Sequence, residues 1–332
     1  MSTAVICAGG LARGAFEAGA IETLIGAGVE PSHVVGCSAG ALNAAGLAAG
    51  VRVGRVRDAA RAIVDVWDVQ ADWRHAFDVK PLQLLRGRGV STSAGVERIL
   101  RQHIGALVEG STERRSVRLD LITTASDGER HDVGGELKTS YERALIFGGE
   151  SFDTSTGRES IYRAAAASSA FPVLFAPVQI PQAGPCFDGG LVDDTPIARA
   201  IDGGVRRIVV IVPYPAVDPF RGNLPFGPRL LLHLADVLIH ERLYRDVREA
   251  TKVNRVIAEL RALTRNHKLT PEQLADVERI LGWRELEILE IRPASPLAGS
   301  SVDGFFSRRL RREYIDAGRR AAELALKAQK LG

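Results

Sequence analysis

The stretch Val34-Val35-Gly36-Cys37-Ser38-Ala39-Gly40-Ala41-Leu42 constrains this chain more than any other. An apolar run leads into Gly-x-Ser-x-Gly and then into a segment of helical composition. Strand, tight turn, helix is the context a nucleophile elbow requires. Gly36 and Gly40 carry no Cβ, so the turn between them closes sharply and leaves Ser38 at its apex. The helix that follows aims its first N–H groups and its positive dipole end at the same point, favouring developing negative charge. A chance Gly-x-Ser-x-Gly in a chain with 34 glycines is the competing explanation. The surrounding sequence has to decide between them.

Upstream, Thr3–Ala8 reads as a short buried strand and Ala15 to Ala27 as a helix closed by Gly28. Between them lies Gly9-Gly10-Leu11-Ala12-Arg13-Gly14. Such a loop turns backbone N–H groups toward an anion. A nucleotide site is disfavoured, because the Lys-Ser/Thr of a Walker loop is missing and the spacing is not Gly-x-Gly-x-x-Gly. An oxyanion hole and a plain strand-to-helix turn both remain open. His33–Val35 is the second strand, so both loops fall at the C-terminal ends of neighbouring parallel strands. Open α/β sheets collect their ligands there.

Downstream, helical spacing covers Arg55–Val69, and Asp68–Gly89 (with Trp73, Phe77 and Pro81) reads as an irregular insertion. A helix over Ser93–Ile104 has Ser93 as its N-cap. Val117–Ala125 is a strand, Asp127-Gly128 a hairpin turn, and Glu136–Tyr141 a further strand. A small-residue helix spans Ser160–Ala170, Val173–Ile180 is strand-like, Pro185–Gly190 is a turn, and Arg206–Val212 is a strand. Then come a proline-rich loop over Pro213–Pro228, a long helix from Arg229 to Asn266, and a helix start at Thr270-Pro271-Glu272-Gln273. Glu287–Ile291 is a last strand. From Phe305 a basic amphipathic helix runs to the end, and docking on its own domain is favoured over a membrane surface.

The 332 residues are 45% hydrophobic and 25% charged, which fits an ordinary globular protein. A net charge of +3 is too weak to argue for nucleic acid. Cys7, Cys37 and Cys186 form no disulfide framework. No secretory signal or membrane-spanning apolar run is present, so the expectation is a cytoplasmic protein, with peripheral membrane contact left open.

Three loops now stand in order: Gly9-Gly10-x-x-Arg13-Gly14, Gly36-x-Ser38-x-Gly40 and Asp188-Gly189-Gly190. Ala-Ser-Ser-Ala-Phe-Pro (Ala167–Pro172) precedes the aspartate, and Asp193-Asp194-Thr195-Pro196 follows it. In these features the chain resembles the bacterial members of the patatin-like phospholipase family, from about Thr3 to Val212. The resemblance implies a three-layer α/β/α fold with a mainly parallel central sheet and, here, a helical C-terminal extension. Residues 1–213 are the expected catalytic core and 214–332 the mostly helical extension packed on it. The resemblance makes Ser38 the nucleophile, Asp188 the base and the loop Gly9, Gly10, Leu11, Ala12, Arg13 and Gly14 the oxyanion hole. It also implies hydrolysis of acyl esters in phospholipids and related lipids without metal or cofactor, the work of a carboxylic ester hydrolase of phospholipase A or lysophospholipase type. Leu11 departs from the family, which usually has a third glycine there. If that position needs a positive φ, leucine is strained by about 1–2 kcal/mol. Asp194 stands where asparagine is common. Arg13 has two readings, bracing the loop or meeting a lipid phosphate, and the brace is preferred.

Two other readings compete. An α/β-hydrolase triad of Ser38, Asp188 and one of His233, His240 or His267 satisfies chain order. However, only one strand and one helix precede the second strand and its elbow, too few for that fold. A non-catalytic or ligand-regulated lipid-binding protein of the same fold is the other, and the presence of both Ser38 and Asp188 argues against it.

Overall fold

The computed structural model describes residues 2–79, 89–133, 136–181, 183–192, 196–216, 248, 251–266, 270–281 and 285–331. Pro81, Asp193 to Thr195, His233, His240, His267 and the first part of the helix expected from Arg229 lie outside the described residues.

The sheet is built on β1 (Thr3–Cys7) and β2 (His33–Cys37), two runs of five buried residues paired in parallel. Continuous apolar strands of this kind belong in a sheet covered on both faces. The two are bridged by α1 (Gly14–Gly26), and β2 feeds α2 (Ala39–Arg52) and then α3 (Val56–Asp65). A single π-helical turn over Val66–Gln70 ends α3. After it come α4 (Trp73–Ala76), the short pair β3 (Asp78–Val79) and β4 (Ser91–Thr92), and α5 (Ala94–Val108). A long hairpin follows, β5 (Arg118–Val133) and β6 (Glu136–Gly148), then α6 (Ser155–Ser168), β7 (Val178–Ile180) and β8 (Gly184–Asp188). The remaining elements are α7 (Ile197–Asp202), β9 (Arg207–Ile211), α8 (residues 251–265), α9 (Pro271–Leu281), β10 (Glu287–Ile291), α10 (Asp303–Phe306) and α11 (Arg308–Leu331).

Strands β10, β9, β1, β2 and β5 lie side by side in parallel, and β6, β8 and β7 add antiparallel partners beyond them. Because side chains alternate along a strand, the sheet has two apolar faces. Val5, Cys7, Val34 and Leu121 pack into one core with α1, α2, α3 and α11. Ala4, Ile6, Val35 and Val210 pack into the other with Ile197 and Ala200 of α7. This is the expected three-layer α/β/α arrangement with a mainly parallel sheet. The three cysteines are buried thiols outside any disulfide.

Several local expectations are corrected. Asp127-Gly128 is not a hairpin turn: β5 runs on to Val133, and the Asp-Gly pair sits in a bulge where the β5–β6 register shifts between Thr124 and Glu129. Arg143 fastens the bulge by donating to the Asp127 carbonyl at 3.2 Å. Pairing on both sides of the bulge overrides the local turn preference. In Val173–Ile180 only the last three residues are strand, because Val173 has φ 75 and breaks the run. Pro185 to Asp188 belong to β8, and the turn begins at Gly189. Ser93 occupies the N-cap position of α5, yet its hydroxyl makes no cap bond and is buried without a partner.

Thr270 and Gln273 do form a reciprocal capping box at 2.9 and 3.2 Å. The C-terminal helix breaks at Ser307 and then lies along α1. The approach is close: a methyl on Gly19 or Gly318 would collide with the carbonyl of Ile315 or Phe16. Arg308 and Arg312 pair with Asp68, and Arg319 pairs with Glu22, so these cations bind the helix to its own domain. Among the described residues no helix is long and apolar enough to cross a membrane.

Candidate active site

The site is made by strand ends. Strand β2 runs parallel to β5 and places Cys37 opposite Ile122. Strand β8 runs antiparallel to β5 and places Asp188 opposite Thr123. Strand β6 occupies the other edge of β5 through this step, pairing Ile122 with Ala144 and Thr123 with Arg143. Strands β2 and β8 therefore share one edge of β5 and point at each other. Their C-terminal ends meet at the Ile122–Thr123 step, bringing together Ser38 and Asp188, 150 residues apart in sequence.

Ser38 Oγ donates to Asp188 Oδ2 at 2.7 Å. The second carboxylate oxygen accepts the Gly190 N–H at 2.9 Å. Ser38 is 2% exposed and Asp188 1%. Burial raises the Asp188 carboxyl to about 7, and the hydrogen bonds from Ser38 and Gly190 pull it back only partly. Ser38 has φ 53 and ψ −132, the strained backbone of a nucleophile elbow. Gly40 lets α2 start against β1, because a methyl there would meet the carbonyls of Cys7 and Ala8. Gly36 and Gly189 are equally tight, against Ala41 and the Ile122 carbonyl.

Ser38 and Asp188 are both tied to the end of α6. Ser168 Oγ accepts the Ser38 N–H at 3.0 Å and donates to the Ile122 carbonyl at 2.5 Å. The Asp188 N–H donates to the Ala170 carbonyl at 3.1 Å. Thr124 Oγ1 donates to the Asp188 carbonyl at 2.7 Å. Sequence reasoning quoted the Ala167–Pro172 motif but gave Ser168 no task. The available signal was a hydroxyl set among buried alanines, where an unbonded polar group is costly.

In the Gly-rich loop, Gly10 has φ 154 and Leu11 φ 52. The left-handed conformation suspected at Leu11 is therefore present. The Ala12 N–H donates to the Ser301 carbonyl at 2.9 Å, and the Arg13 N–H to the Gly10 carbonyl at 2.9 Å. Among the described residues the N–H groups of Gly10 and Leu11 make no hydrogen bond. Gly14 opens α1, and its carbonyl accepts from Asn43 at 3.0 Å. The Arg13 guanidinium donates to the Gly299 carbonyl at 3.2 Å and lies 5.0 Å over the Tyr214 ring, a bracing position.

An apolar pocket opens beside Ser38 and Leu11 and continues between α2, α3 and α5. Its wall along α5 runs from Val96 to Leu107, about 16 Å at helical rise. Two polar side chains of the wall, Asn43 and Trp67, are bonded to each other, and Asn43 reaches Glu17 behind them. Asn43 donates to Glu17 at 2.8 Å and accepts from Trp67 Nε1 at 2.7 Å. Nothing in the sequence marked α5 as a pocket wall, because an apolar face on a helix looks the same whether it meets a core or a cavity. Among the described residues no group of three or more histidine, cysteine, aspartate or glutamate side chains is placed to hold a metal ion.

Comparison with known proteins gives three findings. No curated protein matches this chain. Among solved structures, VipD from Legionella pneumophila is similar at 15% identity and a TM-score of 0.45, over 98% of this chain and 67% of that one. The type III effector ExoU is similar at 13% identity and a TM-score of 0.42, over 100% of this chain and 54% of that one. The chain thus spans about half to two thirds of the length of these proteins. The family model described as Patatin-like phospholipase matches residues 5–201, more than half of the chain. This match takes in the Gly-rich loop, the elbow and the aspartate turn, and the chain belongs to the patatin-like phospholipase family.

Proposed function

We propose that this protein is a serine lipid acyl hydrolase of phospholipase A or lysophospholipase type, working through a Ser38–Asp188 dyad. The observation that carries the proposal is the 2.7 Å hydrogen bond between Ser38 Oγ and a buried carboxylate with its pKa raised to about 7. Serine is a weak nucleophile until a base takes its proton. An aspartate near its ordinary value is a feeble base at neutral pH, and one raised to about 7 is well matched.

In the proposed first step Asp188 accepts the Ser38 proton as Oγ bonds to the ester carbonyl carbon. The carbonyl electrons move onto oxygen. The oxyanion is placed at the N–H groups of Gly10 and Leu11, the two donors of the loop with no other partner among the described residues. Such preorganised donors typically supply the larger share of the stabilisation. The C–O bond to the glyceryl oxygen then breaks, and Asp188 returns its proton to that alcohol. Water repeats the sequence on the acyl-enzyme and releases a fatty acid. The pocket receives the acyl chain. An extended alkyl chain advances about 1.25 Å per carbon, given C–C bonds near 1.5 Å. The wall along α5 therefore suits about a dozen carbons. Beyond residue 213, the described strand β10 extends the same sheet and α11 covers α1, which supports one unit with the core.

The test is intact-mass analysis after treatment with a fluorophosphonate or arachidonyl phosphonate. Labelling of wild type and none of Ser38→Ala is expected. Equal labelling of Ser38→Ala would sink the proposal.

A further inference from the structure

Against the pocket stands a cluster of three aromatic rings from distant parts of the chain. Phe77 stacks on Phe175 with ring centroids 4.8 Å apart and meets Phe305 edge-on at 5.3 Å. Phe175 and Phe305 line the pocket together with Ser38 and Leu11. Around the cluster, large apolar side chains face water. Trp73 and Val79, on either side of Phe77, are 45% and 51% exposed. Val173, two residues before Phe175, is 60% exposed, and Phe306, next to Phe305, is 70% exposed. Scattered apolar residues on a surface need no explanation, but a cluster beside one pocket does.

Val173 adds an independent observation. It is β-branched and has φ 75, a conformation such residues avoid. Hydrogen bonds from Val90 and Ser91 to the Val173 and Leu174 carbonyls hold the loop there. Glycine would relieve that strain, and a side chain 60% exposed gains little packing among the described residues to offset it. Strain that the fold imposes on an exposed apolar group points to a use outside the fold. Arg74, which lies 5.6 Å over the Trp73 ring, adds a cation at the same level.

We propose that this rim of Trp73, Val79, Val173 and Phe306 docks on the surface of a phospholipid bilayer. The pocket beside it identifies the occupant. An acyl chain moving from a bilayer into an apolar pocket crosses water unless the rim is sunk in the lipid. Aromatic tips beside an arginine suit the boundary between head groups and acyl chains. The proposal builds on the hydrolase reading and extends it by naming the surface that meets the substrate.

The test uses full-length Ser38→Ala, so that no lipid is consumed, with vesicles of phosphatidylcholine, with and without phosphatidylglycerol. Co-sedimentation is expected, and Trp73→Ser and Phe306→Ser are each expected to weaken it about tenfold or more. Both changes, made in the wild type, leave hydrolysis of a short soluble ester unaltered. Trp73→Phe keeps binding and removes most of the vesicle-induced blue shift in tryptophan emission. Undiminished binding of the serine variants, or a blue shift that persists in Trp73→Phe, would overturn the proposal. So would a rim that governs self-association and not vesicle binding. The two proposals fail separately. Phosphonate labelling of wild type without vesicle binding removes the docking surface alone. Rim-dependent vesicle binding without labelling removes the hydrolase alone and supports the docking.

Discussion

Asp188 and Asp68 are the same side chain in opposite settings, one bonded to the pocket-lining Ser38 and the other next in sequence to the pocket-lining Trp67. Asp188 is 1% exposed, and burial lifts its carboxyl to about 7. Asp68 follows Trp67 on the π-helical turn and accepts bidentate hydrogen bonds from Arg308 and Arg312. Those hydrogen bonds hold it well below the ordinary carboxylate range. A carboxylate that anchors a helix gains from a cation beside it. A carboxylate that must take a proton from serine loses basicity by the same contact. The fold gives the arginines to Asp68 and only hydrogen bonds to Asp188.

The largest expected effect is on the reaction. Asp188→Asn keeps the shape of the site and removes the proposed base. Its kcat on phospholipid or a chromogenic ester is expected to fall by about 10³–10⁴-fold, the scale seen when a catalytic base or its partner is neutralised. In the wild type, kcat/KM is expected to rise with pH through about 7, because only the ionised carboxylate accepts the serine proton. A flat profile between pH 5 and 8, roughly the range over which such a group titrates, would break the assignment of Asp188 as base.

The same carboxyl affects stability in the opposite sense. Its folded pKa is above the unfolded one, so its contribution is fully present below about 3.8 and is lost as pH rises through about 7. At about 1.4 kcal/mol per pH unit, the wild type loses up to about 4 kcal/mol across that window. Asp188→Asn should escape this loss and be the more stable protein at pH 8. Parallel urea titrations at pH 5 and pH 8 give the comparison. A wild type that gains on the variant as pH rises would show that Asp188 is ionised at little cost.

The pocket beside Ser38 allows a test about tenfold in size. Gly46 lines it, and an added Cβ there would lie 3.1 Å from Ile63 Cγ1, so Ile63 must give by a few tenths of an ångström. In Gly46→Leu the side chain fills the pocket beyond Leu42. Hydrolysis of long-chain esters should drop about tenfold in kcat/KM, the scale of a blocked hydrophobic subsite. Short-chain esters should be spared. Equal loss on both would place the acyl chain elsewhere.

What the sequence disclosed follows a physical divide. The elbow at Ser38, the loop at Gly9–Gly14 and the turn at Asp188 were legible because sharp backbone turns demand glycines at fixed positions. Strands β1, β2 and β9 were legible because strands buried on both faces are nearly continuously apolar. The long β5–β6 hairpin was not, because pairing along two strands outweighs a local Asp-Gly preference. Strand β8 was hidden for a related reason: its Pro185 and flanking glycines spell a turn, and only β5 and β7 make it a strand. Nothing local reveals that β2 and β8 abut on β5, which is what joins Ser38 to Asp188. Ser168 and the Asn43–Trp67 pair stayed hidden because their partners are far away in sequence.

The smallest expected effect is at Asp68. Asp68→Asn removes the ion pairs with Arg308 and Arg312, while the Arg311 bond to the residue 68 carbonyl remains. Exposed ion pairs contribute little each, so thermal midpoints at pH 7 should fall by no more than a few degrees. The pH sense is the reverse of that at Asp188. A depressed carboxylate contributes stability above its unfolded value of 3.8 and loses it as pH falls below that point. The gap between wild type and Asp68→Asn should therefore hold from pH 8 down to about 4 and close only in acid. Phosphonate labelling of Ser38 should proceed at nearly the wild-type rate, because the helix remains docked on α1 through the close approach at Gly19 and Gly318. A loss of labelling as deep as that in Asp188→Asn would mean that the C-terminal helix holds the pocket wall in its working shape. The contrast between an anchoring and a reacting carboxylate would then give way to a single coupled unit.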